Sequence, residues 1–352
     1  MLEIKKTDNC HWDLVSLGEV MLRFDPGNER IETARNFRVW EGGGEYNVAR
    51  SLSKVFRMRS AFVTALADNQ IGRLIEELVA QSGVDRTEIL WRETDGISRN
   101  TRNGIYFMER GFGLRPPTGC SDRGNTAISQ LTASEIDWHR IFSEKKTRWF
   151  HTGGIFTGLS ESTPEVAAEA MRIAKENETI ISYDLNYRDS LWKDRGGREA
   201  SDAVNAELLK SADVVFGIEN FDSRLLQFDE EKFVERAGAM FSRFPNLKIA
   251  ATTMRNVRSA SSHDLGAVCF TEGKVHQADS FEKLEVLDRV GSGDAFASGF
   301  IYGLLNKSGY SDSLNFGVAN SALTMTTPGD NSFASLSEVK SIAADKKGSI
   351  SR

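Results

Sequence analysis

The segment DRVGSGDAFASGFIYGLL, residues 288–305, joins a glycine-rich turn to a run of small and apolar residues that predicts a buried helix. Gly291, Ser292 and Gly293 come immediately before that run. Backbone N–H groups at a helix N-terminus, together with the helix dipole, can hold a phosphate group. The segment therefore predicts an anion hole made by these three residues.

Asp294 places a carboxylate at the point where an anion should bind. The conflict is resolved if Asp294 is a general base that touches both a transferred phosphoryl group and the hydroxyl that attacks it. An aspartate that follows a glycine turn is also an ordinary helix N-cap. This one segment leaves both interpretations open.

A second glycine cluster, EGGGEYNVARSLSKVF, occupies residues 41–56 and leads into a predicted helix. Gly42 and Gly43 would let a ligand approach the backbone closely, and Asn47 can offer a donor and an acceptor to a polyol. The alternative is a glycine turn that only begins a helix. The pattern is not the dinucleotide-binding GxGxxG motif.

A third cluster, YDLNYRDSLW, spans residues 183–192 and directly follows a predicted strand. Asp184, Asn186 and Arg188 alternate there, so they share one face at the carboxyl end of the strand, where open α/β sheets bind ligands. Arg188 could bind a carboxylate, or it could form a surface salt bridge.

Short apolar runs recur between amphipathic segments, and we interpret them as buried strands. Helical spacing is evident from Ile71 to Val79, ended by Gly83, and from Thr163, followed by Pro164, to about residue 178. This alternation predicts an α/β fold with a doubly wound, mostly parallel sheet flanked by helices. The predicted strands are residues 14–17, 61–66, 149–151, 179–183, 213–216 and 247–251.

Residues 24–40 and 97–122 interrupt this rhythm with alternating patterns, turn residues and charge. We expect small antiparallel strands there, with few large apolar side chains, which together form a movable β-strand lid. No linker or repeat divides the rest, so residues 1–352 are interpreted as one domain with the lid inserted. A polar tail follows about residue 344.

Composition excludes several classes of protein. The 352 residues include 44 Lys plus Arg and 50 Asp plus Glu, a net charge of −6, which disfavours nucleic acid or an anionic membrane as a partner. No signal-peptide pattern or membrane-spanning stretch is evident, so we expect a cytoplasmic protein. Three distant cysteines and five unpaired histidines argue against a disulfide framework or a transition-metal site.

Taken together, the three clusters resemble the ribokinase-like PfkB family of ATP-dependent sugar kinases. GGGEYNVA matches the amino-terminal signature, and DRVGSGDAFASGF matches the carboxy-terminal one. Within the family the chain most resembles the 2-keto-3-deoxygluconate kinases, on the segments YFMERG, SDRGNTA, DLNYRDSLW, TTMRNVRSAS and TTPGD.

The resemblance implies a role for each matching position. Asp294 would be the catalytic base beside the anion hole, ATP the phosphoryl donor, and Mg²⁺ would accompany ATP. The lid would mediate a possible homodimer. The residues implied for the sugar acid are Gly42, Gly43, Asn47, Tyr106, Arg123 and Arg188, and those for the nucleotide are Asn186, Thr253, Arg255 and Asn320.

One position departs from the family pattern. An asparagine and acidic residues, as in GNEED, usually follow the strand that here reads DVVFG, and they help to organise magnesium and phosphate. This chain reads GIENFD, with Ile218 at the asparagine position. Either Glu219 and Asn220 take over through a shifted turn, or the magnesium contact is weakened. We favour compensation, with the contact of Glu219 to magnesium made through water.

The resemblance leaves the substrate open. The favoured function is phosphorylation of a small sugar acid, with 2-keto-3-deoxygluconate first. The alternatives are a kinase for a neutral sugar such as fructose or ribose, and a catalytically weak, sugar-binding regulator.

Overall fold

The computed structural model describes residues 2–345, so most of the polar tail indicated by the sequence lies outside the described residues. Among the described residues, none of the helices has the length and apolar character needed to cross a membrane. The strands are β1 (Trp12–Leu17), β2 (Met21–Asp25), β3 (Arg38–Gly42), β4 (Ser60–Ala67), β5 (Ile89–Arg92), β6 (Ile105–Glu109), β7 (Thr118–Asp122), β8 (Thr147–Gly153), β9 (Ile180–Asp184), β10 (Val214–Phe216), β11 (Ile249–Ser259), β12 (Ser262–Thr271), β13 (Lys274–Gln277) and β14 (Phe281–Glu285).

The longer helices alternate with the strands of the main sheet. Their bounds, with those of two single-turn helices, are α1 (Gly44–Lys54), α2 (Gln70–Gln81), α3 (Gly154–Thr157), α4 (Thr163–Glu176), α5 (Asp189–Trp192), α6 (Gly197–Leu209), α7 (Glu230–Arg243), α8 (Ser292–Leu305), α9 (Tyr310–Thr324) and α10 (Leu336–Asp345).

The main sheet has the order β13-β12-β11-β10-β9-β8-β1-β4-β5, and it is parallel from β11 to β5. The strands predicted from apolar runs correspond to β1, β4, β8, β9, β10 and the start of β11. Every residue of β1, β4 and β8 is buried, as expected for parallel strands covered on both faces. The predicted α/β fold is confirmed.

Helices cover both faces of this sheet. On one face α1, α8 and α9 pack around a core that includes Leu52, Phe300 and Val318. On the other face α4 and α6 pack around Phe150 and Ile181. The open sheet is therefore doubly wound, and its ligand site is expected at the carboxyl ends of the parallel strands.

The two interrupting segments form a second sheet, the lid sheet, in the order β3-β2-β6-β7. The expectation of purely antiparallel strands is wrong, because β2 pairs with β6 in parallel. Along the chain, β2 follows β1 and β6 follows β5, so each of the two lid strands comes after a strand of the parallel main sheet. The pairs β2–β3 and β6–β7 are antiparallel.

The expectation of few large apolar side chains in the lid is also wrong. The rings of Phe24 and Phe107 stack with centroids 5.0 Å apart, and Phe37 meets both rings edge-on. Three aromatic side chains therefore form a small core within the lid sheet.

A buried arginine links the lid sheet to the main domain. Arg23 of β2 is fully shielded from solvent and forms ion pairs with Asp288 and, at 2.6 Å, with Asp330. Because breaking a buried ion pair leaves an uncompensated charge, this contact fixes the base of the lid.

Candidate active site

Two cavities adjoin at the carboxyl ends of β9, β10 and β11. The first, of about 670 Å³, is lined by Asn186, Glu219 and Thr253, and we call it the β10 cavity. The second, of about 770 Å³, lies between the main domain and the lid sheet and is called the lid cavity. Asn186 and Gly293 line both cavities, so the two spaces meet there.

The predicted anion hole lies at this junction, at the N-terminus of the 14-residue helix α8. Gly291 has φ of +75°, and a Cβ atom there would overlap the carbonyl oxygen of Asp330. A side chain at Gly293 would meet nothing within 4 Å, so the space in front of the helix is open to a ligand. The turn therefore needs glycine at residue 291 for its own geometry and leaves room at residue 293.

Asp294 lies in the first turn of α8 and faces α1 across the lid cavity. Asn47 Nδ2 donates a hydrogen bond of 2.7 Å to Asp294 Oδ2. Burial raises the pKa of Asp294 to about 8, with further contributions from the charges of Asp184 and Asp330, while the bond from Asn47 opposes the rise. A carboxyl group with a pKa near neutrality is suited to general base catalysis.

Asn47 is held at both ends of its amide. Its Oδ1 accepts a hydrogen bond of 3.2 Å from the backbone N–H of Gly43, while its Nδ2 is engaged by Asp294. The Asn47 amide therefore has fewer hydrogen-bonding groups left for a polyol than the sequence suggested, because its Nδ2 group orients the Asp294 carboxylate. Gly42 and Gly43 line the cavity beside it.

Close packing explains the glycines at residues 42 and 43. A Cβ atom on Gly43 would overlap the backbone oxygen of Glu19, and one on Gly42 would lie 2.7 Å from the Tyr106 hydroxyl oxygen. The backbone of this turn therefore lies directly against the walls of the lid cavity.

The lid contributes Tyr106 and Arg123 to the same cavity. The Tyr106 hydroxyl donates a hydrogen bond to the Asp330 carboxylate, and Arg123 forms an ion pair with Glu19. The family resemblance implied that Arg123 would contact the carboxylate of the sugar acid, yet a carboxylate of the chain itself already neutralises it.

Arg188 lines the lid cavity from the sheet side, as the alternation after β9 predicted. Among residues 2–345, no carboxylate lies within ion-pair distance of its guanidinium group, so the alternative of a surface salt bridge is wrong there. This arginine is the one from the predicted carboxylate pair that remains available for an acidic ligand.

Of the residues predicted for the nucleotide, Asn186 and Thr253 line the β10 cavity. Two predictions need correction. Arg255 lies in the lid cavity instead, where its Nη2 donates to Ser292 Oγ at 2.7 Å. Asn320 is fully buried and bonds to Ser51 Oγ, Ala295 O and Ser298 Oγ, because it joins helices α1, α8 and α9.

Ile218 and Glu219 both line the β10 cavity. Ile218 also packs against the apolar clusters on either side, which accounts for an apolar residue at this position. Glu219 lies 3.6 Å from Arg243 and is about one quarter exposed.

Sequence reasoning missed three charged residues of the lid cavity: Glu19, Arg289 and Asp330. Asp330 belongs to the TTPGD segment that supported the resemblance, so a glycine–aspartate pair after a helix was an available signal. Arg289 belongs to the DRVGSGD segment directly before α8, so its position was an available signal too. Glu19 lies between β1 and β2 and carries no such pattern.

Within residues 2–345, His, Cys, Asp and Glu side chains form no group of three or more that could hold a metal ion by themselves. The β10 cavity does present the carboxylates of Asp184 and Glu219, and burial raises the pKa of Asp184 to about 6. Oxygen ligands of this kind suit Mg²⁺, which in nucleotide sites is also held by phosphate oxygens and water.

The chain is similar to several named kinases over nearly its whole length. The chain is 28% identical to the 2-dehydro-3-deoxygalactonokinase of Haloferax volcanii, covering 97% of this chain and 99% of the relative. It is 27% identical to a 5-dehydro-2-deoxygluconokinase of Clostridium botulinum, covering 92% and 90%.

The solved structure of 2-dehydro-3-deoxygluconokinase from Thermotoga maritima superposes with a TM-score of 0.84 at 30% identity, over 94% of this chain and 99% of that one. The model of the pfkB family of carbohydrate kinases matches residues 12–220 and 251–336. The family uses ATP as phosphoryl donor. A match over most of the chain shows that this chain is an enzyme of the pfkB carbohydrate kinase family.

Proposed function

We propose that this kinase transfers the γ-phosphoryl group of ATP to a hydroxyl of a small sugar acid, with 2-keto-3-deoxygluconate as the favoured substrate. The observation that carries the proposal is Arg188, an exposed guanidinium group in the same cavity as Asp294 that forms no ion pair among the described residues, although its charge acts on Asp184 and Asp294. A bidentate contact from arginine to a carboxylate would bind and orient an acid.

The names of the relatives support an acidic substrate. Those cited above are kinases of keto-deoxy sugar acids, and they cover nearly the whole chain. They differ in the position of the keto group and in configuration, so they support the class of substrate more strongly than the individual sugar.

In the proposed complex the sugar acid occupies the lid cavity. Gly42, Gly43 and Asn47 bound it from the main domain, Tyr106 covers it from the lid, and Arg188 binds its carboxylate. Arg123 forms part of the wall through its ion pair with Glu19. These contacts hold the acceptor hydroxyl beside Asp294, and such positioning supplies much of the rate enhancement in phosphoryl transfer.

The nucleotide is proposed to occupy the β10 cavity, beside Asn186 and Thr253, with its phosphates directed to Gly291, Ser292 and Gly293. Asp294 takes the proton of the attacking hydroxyl. Magnesium bound to ATP would neutralise phosphate charge, with Glu219 as a partner through water.

A neutral sugar is the second candidate, and one observation favours it. Because Glu19 neutralises Arg123, the lid offers less positive charge to a substrate carboxylate than two free arginines would. On that view Arg188 serves the phosphates.

A coupled ADP-release assay separates the two candidates. We expect 2-keto-3-deoxygluconate and related keto-deoxy acids to have higher kcat/KM than fructose or ribose. Arg188→Ala should raise KM for the acid much more than for any neutral sugar turned over, whereas Arg236→Ala, at an exposed position of α7, should change neither. Equal or better turnover of fructose or ribose would contradict the sugar-acid proposal.

A further inference from the structure

Arg255 makes a contact that the nucleotide assignment does not explain. It lies on β11, yet its side chain lines the lid cavity and bonds through Nη2 to Ser292 Oγ at 2.7 Å. Ser292 Oγ in turn donates to the backbone oxygen of Arg289 at 2.9 Å. The guanidinium group therefore lies against the acceptor side of the anion hole.

The charge of Arg255 is uncompensated within the described residues. Its Nε is shielded from solvent and has no hydrogen-bond acceptor, and no carboxylate forms an ion pair with it. Burial and the charge of Arg289 lower its pKa to about 10, so it stays protonated at neutral pH. The residue is half-buried and lines the cavity, so its guanidinium group can accept an anion there.

The neighbouring titratable groups do not supply that anion. Arg289 carries the same charge and also lines the lid cavity. His263 is buried, and desolvation together with both arginines lowers its pKa to about 4, so it is neutral. Two arginines thus line the cavity that also contains Asp294, and neither forms an ion pair with a carboxylate of the described residues.

We propose that Arg255 binds the phosphoryl group while it is transferred, and that Arg255 and Arg289 together bind the phosphate ester that results. The proposal rests on the proposed function, in which transfer occurs between the two cavities. The bond from the acceptor oxygen to the γ-phosphorus forms as the bond to the β,γ-bridging oxygen breaks. That electron pair leaves with ADP, and the hydroxyl proton passes to Asp294.

The position of Arg255 predicts which kinetic parameter its removal should change. Phosphate oxygens on the acceptor side meet Arg255 only as the phosphoryl group leaves the nucleotide, so the contact strengthens in the transition state. Removal of one positioned donor to such a group typically lowers kcat by about 10²–10³-fold. Affinity for the nucleotide itself should change little, because ATP occupies the neighbouring cavity.

Steady-state kinetics of Arg255→Met test the proposal. With the sugar that the wild-type enzyme phosphorylates fastest, we expect kcat to fall about a hundredfold and KM for ATP to stay within about threefold. Arg255→Lys should recover part of the rate. Arg236→Met, which removes an exposed arginine of α7, is the matched control and should behave as wild type. A kcat within threefold of wild type would overturn the proposal.

Binding measurements provide a readout besides turnover. By calorimetry, Arg255→Met should bind MgADP as wild type does, but should bind MgADP with aluminium fluoride and the sugar at least tenfold more weakly. An equal loss of affinity for MgADP alone would overturn the proposal and would indicate that Arg255 binds the nucleotide. Arg289→Gln should weaken inhibition by the phosphorylated sugar; unchanged inhibition would remove Arg289 from the phosphate site.

These outcomes are separable from failure of the proposed function. If the wild-type enzyme prefers a neutral sugar, the sugar-acid assignment is wrong, yet the ratio of kcat between Arg255→Met and wild type still reports on the phosphoryl contact. Thermal unfolding of each variant shows whether it is folded.

Discussion

Asn47 and Asp294 are joined by a hydrogen bond of 2.7 Å across 247 positions of sequence. The bond connects the first turn of α1 to the first turn of α8, and so it links the two glycine-rich segments of the chain. The same amide receives the backbone N–H of Gly43 on its other end. The carboxylate is thereby oriented by the turn that also bounds the lid cavity.

The role of Asp294 as general base predicts the effect of Asp294→Asn. The amide keeps the size of the side chain but cannot accept the proton, so kcat should fall about a hundredfold or more. Calorimetric titration with the sugar and with ATP should show nearly unchanged affinities. Asp312→Asn, at an exposed position in the first turn of α9, is the control. A purified Asp294→Asn enzyme with near-normal kcat would rule out this role.

The bond from Asn47 predicts a shift in the pH profile. Asp294 must be deprotonated to act, so kcat/KM should rise as pH increases through its pKa of about 8. Asn47 favours the charged form, and Asn47→Ala should therefore raise the pKa of Asp294 and move the rise in kcat/KM to higher pH. Profiles of both proteins and of the exposed-site variant Asn9→Ala would show it. A shift of the Asn47→Ala profile to lower pH would contradict this electrostatic role.

The lid sheet should respond unevenly to ligands. Its strand β2 is tied to the main domain by Arg23, whereas all five residues of β7 are exposed. In hydrogen exchange, sugar and a non-hydrolysable nucleotide together should slow exchange of β6, β7 and their connection more than that of β2. Exchange in α4, remote from both cavities, should stay constant. Unchanged rates throughout the lid would indicate a site that is closed before ligands bind.

The two residues after Gly217 predict different responses to magnesium. A substitution at Glu219 should change the magnesium concentration that the enzyme needs, whereas a substitution at Ile218 should not. Glu219→Gln should raise the magnesium concentration for half-maximal rate by roughly tenfold, the range typical of lost partners around a bound metal. Ile218→Asn should leave that concentration almost unchanged but lower Tm, because Ile218 packs against apolar clusters.

Asp222→Asn is the control for this pair, since Asp222 is exposed and its partner is Arg224. A large gain in activity from Ile218→Asn would instead show that isoleucine impairs magnesium binding, and that Glu219 does not compensate for it.

The sequence by itself determined the strands and helices that carry the chemistry. The apolar runs that became β1, β4, β8, β9 and β10 are buried on both faces. Strands buried in this way are almost continuously apolar, so their composition identifies them in the sequence. The glycine turn at the start of α8 could be located as well, because a glycine turn before a helix is a local feature of backbone geometry. The antiparallel strands β13 and β14 were not predicted, since their exposed and half-buried residues lack a clear apolar pattern. Strand β12 was not predicted either, although nine of its ten residues are buried, because His263, Asp264 and Gly266 interrupt its apolar residues.

Only the tertiary structure decided how the side chains are paired. Local sequence could not indicate that Glu19 would neutralise Arg123, that Arg255 would face the lid cavity, or that Asn320 would join three helices. Each of these outcomes depends on contacts between residues distant in sequence, which form when the lid and α8 pack against the sheet. The charge that remains unpaired after such packing, as at Arg188 and Arg255, is a property of the folded chain alone.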